Sequence, residues 1–196
     1  MSVPTTMFRL TGRDYPPAKL SQASLIIIDA QKEYLTGPLA LSGMDEAVAN
    51  IARLLDAARK GGRPIIHVRH LGTVGGRFDP QGPAGQFIPG LEPLEGETVI
   101  EKRMPNAFKN TKLHETLQAL GHLDLIVCGF MSHSSVSTTV RRAKDYGYRC
   151  TLVEDASATR DLAFNNEVIP AAQIHRCEMA VMADNFACVA PTSSLI

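Results

Sequence analysis

The sequence lacks an excess of either charge, and this absence argues against several classes of partner. Its 20 Lys and Arg residues balance 20 Asp and Glu residues, so the formal net charge at pH 7 is zero. Proteins that bind nucleic acid or anionic membranes usually carry a basic surplus. We therefore expect a small-molecule substrate, with neither nucleic acid nor membrane as a partner. Near-neutrality also leaves little charge repulsion against self-association, which favours a homo-oligomer, a dimer or larger.

Long hydrophobic runs and paired cysteines are also lacking. The longest apolar stretch has the length of a strand, which predicts that no segment spans a bilayer. Residues 1–21 contain no apolar stretch typical of a signal peptide. None of the four cysteines forms a C-x-x-C pair, so we interpret them as reduced thiols. Together these features predict a cytoplasmic protein.

Short apolar runs alternate with helical patterns along the chain. Uninterrupted apolar runs are typical of strands that are covered on both faces. The alternation predicts one α/β domain over residues 1–196, with a parallel sheet between two layers of helices. The predicted strands are residues 24–28, 63–68, 98–100, 123–129, 149–153 and 178–182. The predicted helices are residues 45–60, 111–120, 136–146 and 163–174.

Two segments stand outside this alternation. Residues 1–21 precede the first strand, and we interpret them as an N-terminal extension. Residues 71–93 are rich in Gly and Pro and are too long for a bare connector. Loops of that length are usually functional or disordered. We predict that residues 71–93 form a lid or an oligomer contact.

Chemically capable side chains follow three of the predicted strands. In an open parallel sheet, ligands bind beyond the carboxyl ends of the strands. Asp29, Lys102 and the turn 131–135 follow the first, third and fourth strands. Alone, Asp29 could equally be a solvated strand-end residue or a helix cap, and Lys102 a surface side chain. Side by side they would form an ion pair that orients the carboxylate and favours its ionised form.

The turn after the fourth strand is rich in hydroxyl groups. Its sequence, MSHSS, joins an apolar run to a helical pattern. Backbone N–H groups at such a helix start favour an anion or oxyanion site. Alternatively, Ser132 or Ser134 simply caps the helix. We interpret His133 as a packing or hydrogen-bonding residue rather than a general base.

Two histidines near the end of the second strand resemble a metal site only superficially. His67 and His70 are three residues apart, and on a strand such positions point to opposite faces. No carboxylate close by in sequence completes a ligand set. We therefore predict no metal and no other cofactor.

In this order, the motifs resemble those of the isochorismatase-like hydrolases, also called cysteine hydrolases. The resemblance extends from about residue 24 to residue 186. It implies a Rossmann-like three-layer α/β/α sandwich with a six-stranded parallel sheet, usually in a homo-oligomer. The motifs that carry it are IDAQ at 28–31, EK at 101–102, NAF at 106–108, TKL at 111–113, GFMSH at 129–133, TVRRA at 139–143, GY at 147–148 and VEDA at 153–156.

The resemblance also implies a set of site residues. The catalytic Asp and Lys of the family correspond to Asp29 and Lys102, whereas the position of its nucleophilic Cys holds Ser135. Asp29 would carry protons, and backbone N–H groups at Ser134 and Ser135 would hold the oxyanion.

Four further side chains are predicted to line the pocket, and a fifth residue, Met131, to contact the substrate. Among them, Phe108 could equally belong to the core. The four are Gln31, Tyr34, Phe87 and Phe108.

The implied activity is amidase-type cleavage of a non-peptide C–N bond in a small amide or ureide. A serine hydroxyl is a weaker nucleophile than a thiolate unless a base activates it, so Ser135 leaves alternatives open. Ser135 could act as nucleophile or activate a water, or it could be an engineered replacement of the Cys. The chain could also have lost its chemistry and serve only to bind small molecules. The chain could instead cleave an enol ether without covalent catalysis, with Asp29 as general acid. Nicotinamidase is disfavoured because its Asp and two His metal ligands are not all found near the second strand.

Overall fold

The fold is built on a six-stranded sheet in which every neighbouring pair is parallel. The structure is a computed structural model that describes residues 3–196. The strand order is β3-β2-β1-β4-β5-β8, so the order reverses beside β1. The strands are β1 (Ser24–Ile28), β2 (Ile65–His70), β3 (Thr98–Lys102), β4 (Asp124–Phe130), β5 (Arg149–Ala158), β6 (Leu162–Phe164), β7 (Glu167–Ile169) and β8 (Cys188–Ala190).

Helices cover both faces of this sheet. The helix α2 packs on one face, and α3, α4 and α5 pack on the other. Within β1, Leu25 and Ile27 join the first core, whereas Ile26 and Ile28 join the second. The predicted three-layer α/β/α sandwich is therefore confirmed. The helices are α1 (Met7–Leu10), α2 (Met44–Lys60), α3 (Leu113–Leu120), α4 (Ser137–Asp145) and α5 (Ala171–Asn185).

The helix α2 follows the predicted span 45–60 within one residue. Its apolar side chains recur at helical spacing, and Ile51, Leu54 and Leu55 are buried against the sheet. It begins after Gly43, whose φ of 74° suits a residue without a Cβ. The acidic first turn and the basic last turn both favour the helix dipole.

The prediction of the last strand and the last helix was wrong. Residues 178–182 lie inside α5, where Met179 and Met182 are buried three positions apart, and the sixth strand is β8. Residues 163–174 begin in the antiparallel hairpin β6–β7 instead of a helix. Its tip holds Asn165 and Asn166 at φ values of 50° and 63°, a conformation that Asn tolerates better than most residues.

The two segments outside the alternation both pack on the domain. In the N-terminal segment, the Tyr15 hydroxyl donates to the carbonyl of Cys150 at 3.1 Å; residues 1 and 2 lie outside the described part. In the loop 71–93, Phe78 is buried and its backbone N–H donates to the carboxylate of Glu33 at 3.0 Å. A lid or oligomer role for this loop stays a prediction. Over residues 3–196, no helix is both long and apolar enough to cross a membrane.

Candidate active site

Three strand ends bring Asp29, Lys102 and Ser135 together. The Lys102 Nζ atom lies 2.7 Å from Asp29 Oδ2 and 3.1 Å from Ser135 Oγ. All three residues are buried, and the side chains of Asp29 and Lys102 are fully inaccessible. The site therefore consists of an ion pair and a hydroxyl group in a low-dielectric environment.

Asp29 is placed by an abrupt end to β1. Its backbone N–H still donates to the carbonyl of Val68 in β2 at 2.9 Å. Its φ is 50°, a left-handed conformation that costs a non-glycine residue about 1 kcal/mol or more. Such conformations are concentrated at functional sites, where the surrounding structure enforces them.

Ser135 reaches the site because β4 approaches β1 very closely at Gly129. A Cβ atom at Gly129 would lie 2.1 Å from the carbonyl oxygen of Ile28, so only glycine fits there. The chain then turns through a π-helical segment, Ser132–Val136, directly into α4. This segment carries the Ser135 side chain to the Lys102 ammonium.

The electrostatics of Asp29 are those of an incompletely compensated buried acid. Burial raises the pKa of Asp29, and the Lys102 ammonium and the Ser135 hydroxyl oppose that rise. Among the described residues, Asp29 Oδ1 has no hydrogen-bond partner. One carboxylate oxygen is thus held by the ion pair, and the other is buried without a hydrogen-bond partner in the described chain.

The predicted oxyanion donors differ in availability. The N–H of Ser134 donates to the carbonyl of Met131 at 3.0 Å, within the turn itself. The N–H of Val136 donates to the same carbonyl at 3.3 Å. The N–H of Ser134 is therefore used to hold the turn, and an oxyanion role for the N–H of Ser135 stays a prediction.

Two of the predicted pocket residues serve the scaffold instead. Gln31 is completely buried, and its amide bonds the backbone of His70 and the carbonyl of Gly85. Phe108 packs its ring against Tyr146 and Tyr148 in the core beside α3 and α4. Phe108 therefore belongs to the core, which was the alternative expected for it.

Of the other three side chains, Tyr34 belongs to the first core and Met131 packs against it, whereas Phe87 belongs to neither core. Tyr34 stacks edge-on against Phe78 and Phe130, with ring centroids 5.2 and 5.9 Å apart. Phe87 lies edge-on to His67. The rings of Tyr34 and Phe87 therefore pack beside β1 and β2 and are not part of the hydrogen-bonded cluster of Asp29, Lys102 and Ser135.

The two histidines of β2 take separate partners, as their spacing predicts. His67 Nε2 lies 2.8 Å from a carboxylate oxygen of Glu97, and His70 Nδ1 lies 3.3 Å from Lys102 Nζ. Over residues 3–196, no three potential metal ligands gather into a cluster. Sequence reasoning missed the contact between His70 and Lys102, although the two residues are paired in the register of β2 and β3.

A cleft of about 290 Å³ opens where β3 ends. Its lining includes Lys102 of the cluster together with the charged residues Glu101, Arg103 and Lys109, but neither Asp29 nor Ser135. In the turn after β4, Ser132 Oγ lies 3.1 Å from His175 Nδ1, and His133 bonds Thr159. These two side-chain contacts anchor the turn.

Comparison with known proteins assigns the family. A model of the isochorismatase domain matches residues 23–193. The chain belongs to the isochorismatase family. The crystal structure of an isochorismatase from Pseudomonas putida KT2440 is 94% identical, covers 99% of this chain and 100% of that one, and superimposes with a TM-score of 0.98. The Bacillus subtilis isochorismatase family protein YddQ is 39% identical over 88% of this chain and 98% of its own.

More distant relatives in this family are named as hydrolases. Streptothricin hydrolase from Streptomyces noursei is 29% identical over 82% of this chain and 59% of its own. Ureidoacrylate amidohydrolase RutB from Variovorax paradoxus is 26% identical over 70% of this chain and 69% of its own. The resemblance inferred from the motifs is confirmed, and the chain is a member of a hydrolase family.

Proposed function

We propose that this protein is an amidase-type hydrolase that cleaves the C–N bond of a small amide or ureide, with Ser135 as nucleophile. The observation that carries the proposal is the position of Lys102, whose ammonium bonds both the Asp29 carboxylate and the Ser135 hydroxyl. The names of two relatives, a hydrolase and an amidohydrolase, support the reaction class. The homo-oligomeric state and the cytoplasmic location stay predictions.

In the proposed reaction, Asp29 is the proton carrier. Its Oδ1, which has no hydrogen-bond partner among residues 3–196, takes the proton of the Ser135 hydroxyl while Oγ attacks the carbonyl carbon of the amide. The N–H of Ser135 donates to the resulting oxyanion. Protonated Asp29 then gives its proton to the departing nitrogen, the C–N bond breaks, and ammonia or an amine leaves an ester on Ser135.

In the second half of the reaction, water is the nucleophile and Ser135 is the leaving group, while Asp29 again carries the proton. Asp29 takes a proton from water, whose oxygen attacks the ester carbonyl. Breakage of the ester bond returns the proton to Ser135 and releases the acid. A proton carrier works best when its pKa approaches the working pH, and burial shifts the pKa of Asp29 in that direction.

The test measures ammonia release from a panel of primary amides and ureides. We expect turnover by the chain with Ser135 and a loss of about 100-fold or more in Ser135→Ala. Because a thiolate is the better nucleophile, Ser135→Cys should retain or increase turnover. Ser137→Ala and Ser137→Cys are matched controls, since Ser137 is also a buried serine, two residues further along. Undiminished turnover in Ser135→Ala would exclude the serine nucleophile. Ligand binding without turnover in any variant would show that the protein binds small molecules and is not a hydrolase.

A second candidate, hydrolysis of an enol ether without a covalent intermediate, is favoured by one observation. The buried Asp29 has a raised pKa, which suits a general acid, and no thiol is present at position 135. This reaction requires Asp29 but not Ser135. Pyruvate release from an enolpyruvyl ether that survives in Ser135→Ala and disappears in Asp29→Asn would establish it in place of the amidase.

A further inference from the structure

Building on the proposed hydrolase function, we propose that His70 is a positioning residue that fixes the ammonium of Lys102, and that Gln31 in turn fixes His70. The catalytic groups would then depend on a hydrogen-bonded series that begins in the scaffold, at a buried amide. Neither side chain needs to touch the substrate in this arrangement.

The ammonium of Lys102 has as many donors as it has acceptors around it. An ammonium group has three N–H donors and no acceptor. In the structure, three acceptors surround Nζ: Asp29 Oδ2 at 2.7 Å, Ser135 Oγ at 3.1 Å and His70 Nδ1 at 3.3 Å. Each donor therefore has one partner, which fixes the rotation of the ammonium. Loss of one acceptor would leave a donor unsatisfied in a buried site, which is costly.

The contact with Lys102 fixes the tautomer of His70. Because Lys102 can only donate, Nδ1 must accept, and the ring proton must be on Nε2. Burial and the nearby positive charges of Lys102 and Arg103 lower the pKa of His70 to about 4. The ring therefore stays neutral and remains an acceptor throughout the neutral pH range.

Gln31 holds the backbone of His70. Gln31 Oε1 accepts from the backbone N–H of His70 at 2.8 Å, and Nε2 donates to the His70 carbonyl at 3.0 Å. Nε2 also donates to the carbonyl of Gly85 at 2.8 Å. The His70 ring packs against Phe78, with centroids 4.9 Å apart. Both the backbone and the ring of His70 are thus held, which fixes the position of Nδ1.

The kinetic test compares two variants of His70. Asn has a side-chain oxygen that can accept near the position of Nδ1, whereas Leu fills similar space without an acceptor. We expect His70→Leu to lower kcat about tenfold, the worth of one hydrogen bond of about 1.4 kcal/mol, with KM little changed. His70→Asn should restore most of kcat. Equal losses in both variants, or a change confined to KM, would overturn the positioning role.

A measurement without turnover separates this proposal from the proposed function. Nitrogen-15 NMR of the His70 ring should show an unprotonated Nδ1 and a protonated Nε2 at pH 7. The pKa of His70 should rise in Lys102→Met. It should rise less in Arg103→Gln, which keeps the hydrogen bond between Lys102 and His70. Arg103→Gln also provides the measurement if Lys102→Met does not fold. A proton on Nδ1, or an unchanged pKa in both variants, would overturn the positioning role even in an active enzyme. If the spectra are as expected but no amide is turned over, the positioning of Lys102 by His70 stands and the proposed hydrolase function is wrong.

Discussion

Two ion-paired carboxylates lie near the strands β2 and β3, the half-buried Glu97 and the fully buried Asp29, and they differ in how completely they are hydrogen-bonded. The carboxylate of Glu97 accepts from Arg59 at 2.7 and 3.0 Å, from His67 at 2.8 Å and from the N–H of Leu94 at 2.9 Å. Burial raises the pKa of Glu97, but these hydrogen bonds outweigh it and lower the pKa to about 2. Asp29 has the opposite shift, because burial dominates and Oδ1 has no partner in the described chain.

The difference distinguishes a structural ion pair from a reactive one. Glu97 links α2 to β2, and its lowered pKa keeps it ionised throughout the neutral pH range, so it has no proton to exchange there. Asp29 has one oxygen without a hydrogen-bond partner in the described chain and is more easily protonated, which a proton carrier requires. Both carboxylates are ion-paired, and the deeper burial and incomplete hydrogen bonding of Asp29 indicate chemistry.

Among the substitutions that test the distinction between Asp29 and Glu97, Lys102→Met is expected to have the largest effect. Removal of the ammonium leaves the Asp29 carboxylate buried without its cation, so the free energy of unfolding at pH 7 should fall by about 3 kcal/mol or more. Turnover should fall by about 1000-fold, because Ser135 loses its partner as well. Urea unfolding and ammonia release provide the measurements.

Two comparisons sharpen the Lys102→Met result. The pKa of Asp29 rises further in this variant, so part of the lost stability should return as the pH is lowered and Asp29 becomes protonated. Lys109→Met, at an exposed lysine, should change neither stability nor the pH dependence of unfolding. Full activity in Lys102→Met would contradict the assigned site.

A smaller effect, and one of a different kind, is expected from Glu97→Gln. The amide keeps the shape of the side chain but loses the charge that accepts from Arg59 and His67. The free energy of unfolding should fall by about 2 kcal/mol, whereas kcat of the folded protein should stay within about twofold of the original. A large loss of kcat at unchanged stability would show that Glu97 takes part in the reaction and is not a purely structural carboxylate.

The smallest effect concerns the pH dependence of stability. The pKa of Glu97 is about 2 in the folded protein and 4.5 in its ordinary state. A lowered pKa contributes stability that is fully present above the ordinary value and is lost as the pH falls toward the folded value. Urea midpoints of the unsubstituted chain should therefore decline between about pH 5 and pH 2 more steeply than those of Glu97→Gln. Parallel profiles would show that Glu97 is not paired in the folded state.

Most of the fold could be predicted from the sequence because the central strands are buried on both faces. The run at 24–28 forms β1 as predicted, and four further runs lie within the strands β2 to β5 or overlap them. The sixth was misplaced because a short apolar run has the same pattern in a buried strand and in a helix. In α5, only the spacing of Met179 and Met182 distinguishes the two. The Asn-Asn pair at 165–166 was an unused signal for a hairpin turn.

The site was predictable to the level of position, but not of hydrogen bonding. The rule that ligands bind at the carboxyl ends of parallel strands selects Asp29 and Lys102 from their places in the chain. The same rule gives no information on the amide of Gln31, which was expected in the pocket and instead bonds the His70 backbone. Side-chain rotamers and loop packing decide such contacts, and both depend on residues distant in sequence.

The central claim is that Ser135 forms a covalent bond with the acyl group of an amide substrate. The most direct test is rapid quenching of the protein with a slowly hydrolysed amide, followed by mass spectrometry of the intact chain and of its peptides. The account predicts an added acyl mass on the peptide that contains Ser135, absent in Ser135→Ala and present in Ser137→Ala. Turnover with no acyl mass at any time, equally fast in Ser135→Ala, would contradict it.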